Sequence, residues 1–373
     1  MKIRDIDSIL INSPGRKWTI VRVHTDEGPV GLGEATYSQK EPVVVSALEH
    51  MKQELVGEDV SRIEYLWHKI YRISSLSGIW RMVGPVWMSA LSGIDQALWD
   101  LKGKAANLPL VELLGGRFRD RVRVYTHFGG ATPEASARHA RFWADRGYRA
   151  LKTGARSNTG RPFEFYLDDG APDETAACFA AAREAVGPDV DLLVDCHGRF
   201  TVGGAVRLAR ALEPYGLFCF EDPVPPEDLS AYPKVRSQTS IPIMGSERLN
   251  TKTQYRQLLE LDGIDIAQPD LIYAGGITEV KKIAAIADTY HVPISFHNTK
   301  GPVGILAAAH LLASIPNEAP MEFVTGIEWR DEILVEPLKI EGGCLVVPDG
   351  PGLGVELNME GVEKHRWREG DPY

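Results

Sequence analysis

Apolar and polar positions alternate in two segments near the start of the chain, at residues 2–12 and 19–25. This period of two predicts strands. Apolar residues then recur every three or four positions over 41–56, 61–73 and, most regularly, 87–106. That spacing predicts amphipathic helices. The first third of the chain is therefore predicted to be an α+β unit and not the start of a barrel.

The pattern changes from Arg121 onward, where short apolar runs are each followed by a helical stretch. Eight such runs are present, at 122–127, 148–153, 191–197, 217–221, 241–247, 264–270, 292–297 and 320–323. Strands that alternate with helices predict βαβ units and a parallel sheet. Eight repeats favour a closed β/α barrel, and 373 residues suffice for a barrel with an accessory domain. An open doubly wound sheet is the alternative.

The segment 339–356 near the C-terminus has the pattern of a β-hairpin, with Gly342 and Gly343 at its turn. A stretch rich in Pro and Gly follows the hairpin. We expect this segment to fold back onto the first domain.

Composition narrows the class of protein. With 44% hydrophobic and 25% charged residues, the chain has the profile of a soluble globular protein. Its net charge of −10 opposes binding to polyanions, so no nucleic-acid partner is expected. Asp5 and Asp7 interrupt any secretory signal and no later apolar span has membrane length, so we expect a cytoplasmic protein without a membrane partner. The four cysteines form no C-x-x-C pair and are expected to be reduced.

Residues capable of acid–base chemistry occur where the later apolar runs end. These residues are Asp195, His197, Glu221, Glu247, Asp270, His297 and Glu322. In β/α barrels the active site is built at the C-terminal ends of the strands, so these side chains are predicted to meet. The alternative is that they are ordinary solvated surface groups.

Three of these acids follow one another at a constant interval. Asp195, Glu221 and Glu247 are spaced by 26 residues (221 − 195 and 247 − 221). In a barrel they would lie side by side, and three converging carboxylates require a neutralising cation. An oxygen-only ligand set suits Mg²⁺ or Mn²⁺, whereas zinc would favour His and Cys. His197 points to the same side as Asp195 and is a proton donor, a fourth ligand or a structural residue.

Six strings together resemble the enolase superfamily, in its mandelate racemase subgroup. They are SALSGIDQALWDLKGKAANLPLVELLGG, VDCHGRF, FEDPVPPE, GSERLNT, QPDLIYAGGITE and SFHNTKGPVG. VDCHGRF and QPDLIYAGGITE are most similar to galactonate dehydratase and related sugar-acid dehydratases. The resemblance implies a modified TIM barrel, (β/α)₇β, with an α+β capping domain made from both termini. The expected boundaries are 1–117 for the N-terminal part of the capping domain, 118–336 for the barrel, and 337–373 for the segment that returns to the cap.

The resemblance also implies roles for the residues at the strand ends. Asp195, Glu221 and Glu247 would be the Mg²⁺ ligands. His297 paired with Asp270 would be a general base, since a carboxylate on the far ring nitrogen fixes the tautomer and stabilises the imidazolium.

Two further residues are implied to bind the carboxylate of the substrate. Glu322 would do so as a protonated acid and Lys152 as a fixed cation, the alternative being that each is an ordinary surface residue. Racemases of the subgroup resemble one another in a Lys-x-Lys motif at the end of the second barrel strand. Here the string is LKTG, so Gly154 occupies the place of the second lysine and the second base of a racemase is missing.

These features favour one-way elimination, with His297 as base and His197 as acid. The expected reaction is Mg²⁺-dependent dehydration of a sugar acid, an aldonate similar to galactonate, to a 2-keto-3-deoxy acid through an enediolate. The resemblance also implies a homo-oligomer. A racemase, epimerase or cycloisomerase of the same superfamily, a non-catalytic metal-binding relative, and a metal-dependent aldolase are the alternatives.

Loops are expected to select the substrate. The strings Arg16-Lys17-Trp18 and Trp80-Arg81-Met82 of the first domain are expected over the barrel mouth, with Arg156 and Trp329 as further candidates. The alternative for each is an ordinary residue of the surface or the edge of the core.

Overall fold

The computed structural model describes residues 1–13, 16–72, 84–156 and 171–368. The chain begins with an antiparallel sheet of three strands, β1 (Ile3–Ser13), β2 (Arg16–Thr25) and β3 (Val30–Glu34), in the order β1-β2-β3. Ile6 pairs with Val23 on one face, and Ile9 pairs with Ile20 on the other. Both faces are buried, but in different hydrophobic clusters. The sheet therefore lies between the helices of the first domain and the barrel.

Three helices complete the first domain: α1 (Glu41–Leu55), α2 (Ile63–Tyr71) and α3 (Pro85–Ala106). Proline occupies the first turn of α1 and of α3, where its missing N–H costs nothing. The polar side of α3 is also buried, which its amphipathic pattern did not predict. Asp95 accepts the backbone N–H of Thr278 from the barrel domain at 3.0 Å, so this side of α3 joins the two domains.

Seven strands and a further extended segment form the parallel barrel. The strands are β4 (Arg121–His127), β5 (Ala150–Gly154), β6 (Asp191–Asp195), β7 (Cys219–Glu221), β8 (Ile243–Gly245), β9 (Ile266–Ala267) and β10 (Met321–Glu322). The run at 292–297 fills the position between β9 and β10 through isolated bridges, such as Ala267 with Ile294. Pairing of β10 with β4, Met321 opposite Val124, closes the barrel. The predicted (β/α)₇β fold is confirmed, and the open sheet is excluded.

Helices surround the strands. They are α4 (Leu110–Leu113), α5 (Pro133–Ala144), α6 (Pro172–Val186), α7 (Val202–Leu212), α8 (Ala231–Arg236), α9 (Lys252–Glu260), α10 (Gly276–Thr289) and α11 (Pro302–Ala313), with 3₁₀ turns at Glu213–Tyr215 and Glu328–Ile333. The main core fills the space between strands and helices, and a smaller cluster that includes Tyr125, Leu193 and Cys219 fills the barrel interior. Among the described residues, no helix is both long and apolar enough to span a membrane.

The C-terminal segment contains β11 (Ile340–Glu341), β12 (Cys344–Val346) and α12 (Met359–His365). The hairpin was expected to fold onto the first domain, but β12 pairs antiparallel with the barrel strand β4. Unpaired backbone groups at the N-terminal half of β4 explain this, because β10 pairs only near Val124 and Tyr125. Contacts with the first domain come from residues outside the hairpin: Leu353 donates its N–H to Asp100, and Trp367 to the carbonyl of Leu10.

Candidate active site

Strand periodicity places the polar residues at the strand ends inside the barrel. Successive side chains of a strand point to opposite faces. Leu193 and Cys219 belong to the cluster in the barrel interior, so Asp195 and Glu221, two residues further along their strands, face inward as well. Asp195 and Glu221 are direct neighbours in the register of β6 and β7.

Lys152 lies among three buried carboxylates. Its Nζ is 3.2 Å from Asp195 Oδ2, 2.9 Å from Glu221 Oε1 and 2.9 Å from Glu322 Oε1. The residue is only 3% exposed, which excludes the surface alternative. Burial would lower the pKa of the ammonium, but the surrounding carboxylates hold the pKa of Lys152 well above its usual value. A permanent positive charge therefore stands at the ends of β5, β6 and β7.

One ammonium does not neutralise three acids. The pKa of Asp195 and that of Glu322 are lowered despite burial, chiefly by Lys152. Burial, and next the charge of Asp195, raise the pKa of Glu221 well above its usual value. Glu221 Oε2 is buried and lacks a hydrogen-bond partner among the described residues. This oxygen therefore requires a proton or a further cation.

The expected metal ligands stand on or just after three neighbouring strands but do not form a ready cage. Glu247 Oε2 lies 3.1 Å from His297 Nε2, turned to the imidazole. Within the described ranges, no three His, Cys, Asp or Glu side chains already converge as a metal site. The unpartnered oxygen of Glu221 and the all-oxygen donor set nevertheless fit a hard divalent cation such as Mg²⁺.

His297 and Asp270 form a close pair. His297 Nδ1 lies 2.7 Å from Asp270 Oδ2, and its Nε2 is directed to the acids of the barrel interior. Burial opposes the protonated ring, yet the neighbouring carboxylates, led by Glu247, raise the pKa of His297 to about 9. The pair thus holds Nδ1 against Asp270 and directs Nε2 toward the strand ends.

His197 occupies a different environment. Its backbone is left-handed, with φ 53°, and its N–H donates to Asp195 Oδ1 at 2.9 Å. The ring is 57% exposed, with Nε2 3.2 Å from Asp195 Oδ2. An exposed imidazole that meets the site from solvent can exchange protons with water, which suits a proton donor better than a structural residue.

A cavity of about 260 Å³ is shared by five of the predicted site residues, whereas Glu221, Glu247 and Asp270 are not among its lining residues. It is lined by His127, Phe128, Lys152, Thr153, Gly154, Asp195, His197, His297, Thr299 and Glu322. Gly154 lines this space with no side chain, as expected from LKTG. A larger cleft of about 700 Å³ between α2, α3 and α10 has no imidazole among its lining residues, so the smaller cavity is the better candidate for the chemistry.

Sequence reasoning missed His127. Its Nε2 lies 2.6 Å from Glu322 Oε1, and the ring is 38% exposed in the cavity. The signal was present, because His127 ends the first apolar run as the other residues end theirs. Burial would raise the pKa of Glu322, but Lys152, His297 and His127 hold that pKa well below its usual value, which favours the ionised carboxylate over the protonated acid that the resemblance implies.

The structure places the candidates for substrate contact in different environments. Trp18 is fully buried in the main hydrophobic core, with its ring 4.5 Å from that of Trp329, so it is a core residue. Arg156 donates to the carbonyl of Gly130. Trp80-Arg81-Met82 lies outside the described residues.

Two family models match the chain. Residues 13–115 match the N-terminal domain of mandelate racemase / muconate lactonizing enzyme, and residues 135–361 match the enolase C-terminal domain-like family. The chain is 36% identical to D-xylonate dehydratase of Haloferax volcanii, over 98% of this chain and 89% of that protein. It is also 36% identical to D-galactonate dehydratase of Cronobacter sakazakii, over 93% of this chain and 90% of that protein.

Comparison with solved structures supports the same family. A crystal structure from Labrenzia alexandrii, named as a mandelate racemase/muconate lactonizing enzyme, superposes with a TM-score of 0.92 at 33% identity and covers 100% of this chain and 97% of that one. The resemblance carried by the six strings is therefore confirmed: the chain belongs to the enolase superfamily, with the domains of the mandelate racemase/muconate lactonizing enzyme family.

Proposed function

We propose that this chain is a Mg²⁺-dependent dehydratase, with Mn²⁺ as a possible substitute, that converts an aldonate similar to galactonate into a 2-keto-3-deoxy acid. Relatives named as dehydratases of D-xylonate and D-galactonate support the reaction class. The proposal depends on the residues of one cavity. His297, hydrogen-bonded to Asp270, is the base, and His197 is a second imidazole. Gly154 stands where a second base would be needed for racemisation.

Asp195, Glu221 and Glu247 would hold the metal ion. When bound, the dication would supply electrostatic stabilisation of the negative charge that develops on the carboxylate of the substrate. Lys152 adds a second fixed charge to the same region, since its Nζ lies within 3.2 Å of Asp195 Oδ2.

His297 Nε2 removes the proton from the carbon next to the carboxylate, and the electron pair of that C–H bond forms the enediolate. Asp270 keeps Nδ1 protonated at 2.7 Å, which leaves Nε2 free to act as the base. Collapse of the enediolate breaks the bond to the β-hydroxyl. His197 donates the proton with which that hydroxyl leaves as water, and the resulting enol becomes the 2-keto acid.

The test is a panel of mono- and diacid sugars incubated with the protein and Mg²⁺, with semicarbazide to detect 2-keto-3-deoxy products. His297→Asn should abolish both dehydration and exchange of the α-proton with D₂O. His197→Asn should retain exchange but lose dehydration. The matched control is His291→Asn, because His291 is exposed and its φ of 58° is one that Asn tolerates.

Each alternative has its own result. Dehydration that persists in His297→Asn contradicts the assignment of the base. A product without a keto group indicates an epimerase or cycloisomerase, and cleavage products indicate an aldolase. Stabilisation by Mg²⁺ without turnover of any acid indicates a non-catalytic relative. We also propose that the chain forms a homo-oligomer, as the resemblance implies, and light scattering of the purified protein tests this.

A further inference from the structure

A buried lysine with no role so far lies three residues after His297. Lys300 is 3% exposed, and its Nζ is 3.1 Å from Asp270 Oδ2 and 2.7 Å from the hydroxyl of Tyr273. The ammonium also lies 4.0 Å from the centre of the Tyr273 ring. A lysine loses hydration when it is buried this deeply, so such a residue needs a specific partner, and here that partner is Asp270.

The oxygen of Asp270 that faces Lys300 is the one that faces His297. Oδ2 lies 2.7 Å from His297 Nδ1 and 3.1 Å from Lys300 Nζ, while Oδ1 accepts the N–H groups of Ile272 and Tyr273 at 2.8 and 3.2 Å. Every neighbour of this carboxylate is thus a donor or a cation. Asp270 is therefore held ionised and as an acceptor only.

The segment between His297 and α11 is anchored at both ends, which fixes the direction of Lys300. Asn298 donates its N–H to Glu322 Oε2 at 2.9 Å. Gly301 donates its N–H to Glu34 Oε1 at 2.7 Å. Because hydrogen bonds fix the backbone at Asn298 and Gly301, the side chain of Lys300 is directed at Asp270.

We infer that Lys300 is a positioning residue for the His297–Asp270 pair: its ammonium holds Asp270 Oδ2 where that oxygen accepts the Nδ1 proton of His297, so that Nε2 faces the cavity. This inference rests on the proposed function of His297 as the base. Without the ammonium, a carboxylate that is 1% exposed would keep only neutral donors and the imidazole. Asp270 would then turn or take a proton, and the tautomer of His297 would no longer be fixed.

The experiment compares Lys300→Met, which removes the charge at similar length, with Lys300→Arg, which keeps it. Lys300→Met should lower kcat and the α-proton exchange rate by about 100-fold, with KM changed by less than about threefold. Lys300→Arg should restore at least about a tenth of wild-type kcat. Should Lys300→Met not fold, Lys300→Gln replaces it, because its amide can bind Asp270 without the charge.

Lys252→Met is the matched control. Lys252 Nζ lies 2.9 Å from both carboxylate oxygens of the buried Glu279, so this variant also takes a cation from a buried acid. It should lower the resistance to urea but leave kcat within about threefold of wild type. Tyr273→Phe removes the hydroxyl next to Lys300 and keeps the ammonium. It should affect kcat less than Lys300→Met does.

A readout without substrate separates this inference from the proposed function. The hydrogen-bonded Nδ1 proton of His297 should give a downfield ¹H resonance that is absent in His297→Asn. The resonance should be lost or displaced in Lys300→Met and kept in Lys300→Arg. If the wild type dehydrates no sugar acid, the proposed function fails while this comparison still decides the role of Lys300. A folded Lys300→Met or Lys300→Gln with the wild-type resonance, or with wild-type kcat, overturns the inference.

Discussion

Glu34 ties the first domain to the segment that follows His297, and its replacement by Gln should destabilise the protein. The residue ends β3 and is fully buried. Its Oε1 accepts from the N–H of Gly301 at 2.7 Å and from the hydroxyl of Thr36 at 2.6 Å, and its Oε2 accepts from the N–H of Gly304 at 2.8 Å. All three partners are donors, so the ionised carboxylate fits them. Burial raises the pKa of Glu34 and these donors oppose that rise.

The size of the expected stability loss follows from the N–H donors that Gln cannot satisfy. An amide has a single acceptor oxygen, so Glu34→Gln turns an NH₂ group toward Gly301 or Gly304 and leaves a buried N–H without an acceptor. A hydrogen bond to a charged group contributes about 1.5–3 kcal/mol, and a buried donor left without an acceptor costs about 1–3 kcal/mol, so a loss of about 2.5–6 kcal/mol is expected.

Urea unfolding at pH 8, followed by tryptophan fluorescence, measures the free energy of unfolding. Glu49→Gln is the control, since Glu49 is an exposed acid 3.9 Å from Lys52, and should change stability by less than about 0.5 kcal/mol. A loss in Glu34→Gln no larger than that of the control would refute the reasoning that an ionised Glu34 holds the two domains together.

Three further predictions concern His310, His127 and Lys152. Burial lowers the pKa of His310 to about 4, so on acidification the unfolded chain binds a proton before the folded chain does. The free energy of unfolding should therefore fall by about 3 kcal/mol from pH 7 to pH 4. Urea unfolding of His310→Gln should show a smaller fall. His127→Ala removes a 2.6 Å contact to Glu322 at the cavity, so KM should rise about tenfold with a smaller change in kcat, as steady-state kinetics would show. Lys152→Met leaves three buried carboxylates without their ammonium, so the free energy of unfolding measured in EDTA should drop by about 3–5 kcal/mol. Added Mg²⁺ should restore part of this loss. Equal stability of the variant in EDTA and in Mg²⁺ would contradict the binding of a cation by these acids.

The fold was largely predictable because its information is local. Eight apolar runs with helical stretches between them indicated the barrel, and each run corresponds to a strand or to bridged extended chain. The exception is the C-terminal hairpin. Its pattern predicted two strands, but not that β12 would pair with β4, because any edge with free backbone groups can accept a strand.

Proximity of the site residues was also predictable, since strand ends of a parallel barrel meet at one rim. The hydrogen-bond and ion-pair partners of these residues were not predictable. Sequence analysis expected Lys152 and Glu322 to bind the substrate carboxylate, but it gave no sign that the two side chains lie 2.9 Å from each other. The bond between His127 and Glu322 joins residues 195 apart in sequence, and the bond between Glu34 and Gly301 joins residues 267 apart.

The sequence by itself determined which side chains face the barrel interior, because strand alternation follows the order of residues, and which chemical groups stand at each strand end. Only the tertiary structure decided how those charges are shared: Lys152 with three acids, Lys300 with Asp270, and Glu34 with the start of α11. The physical reason is that pairing and pKa depend on distance through space and on burial. Both are set when the barrel closes and the first domain packs against it.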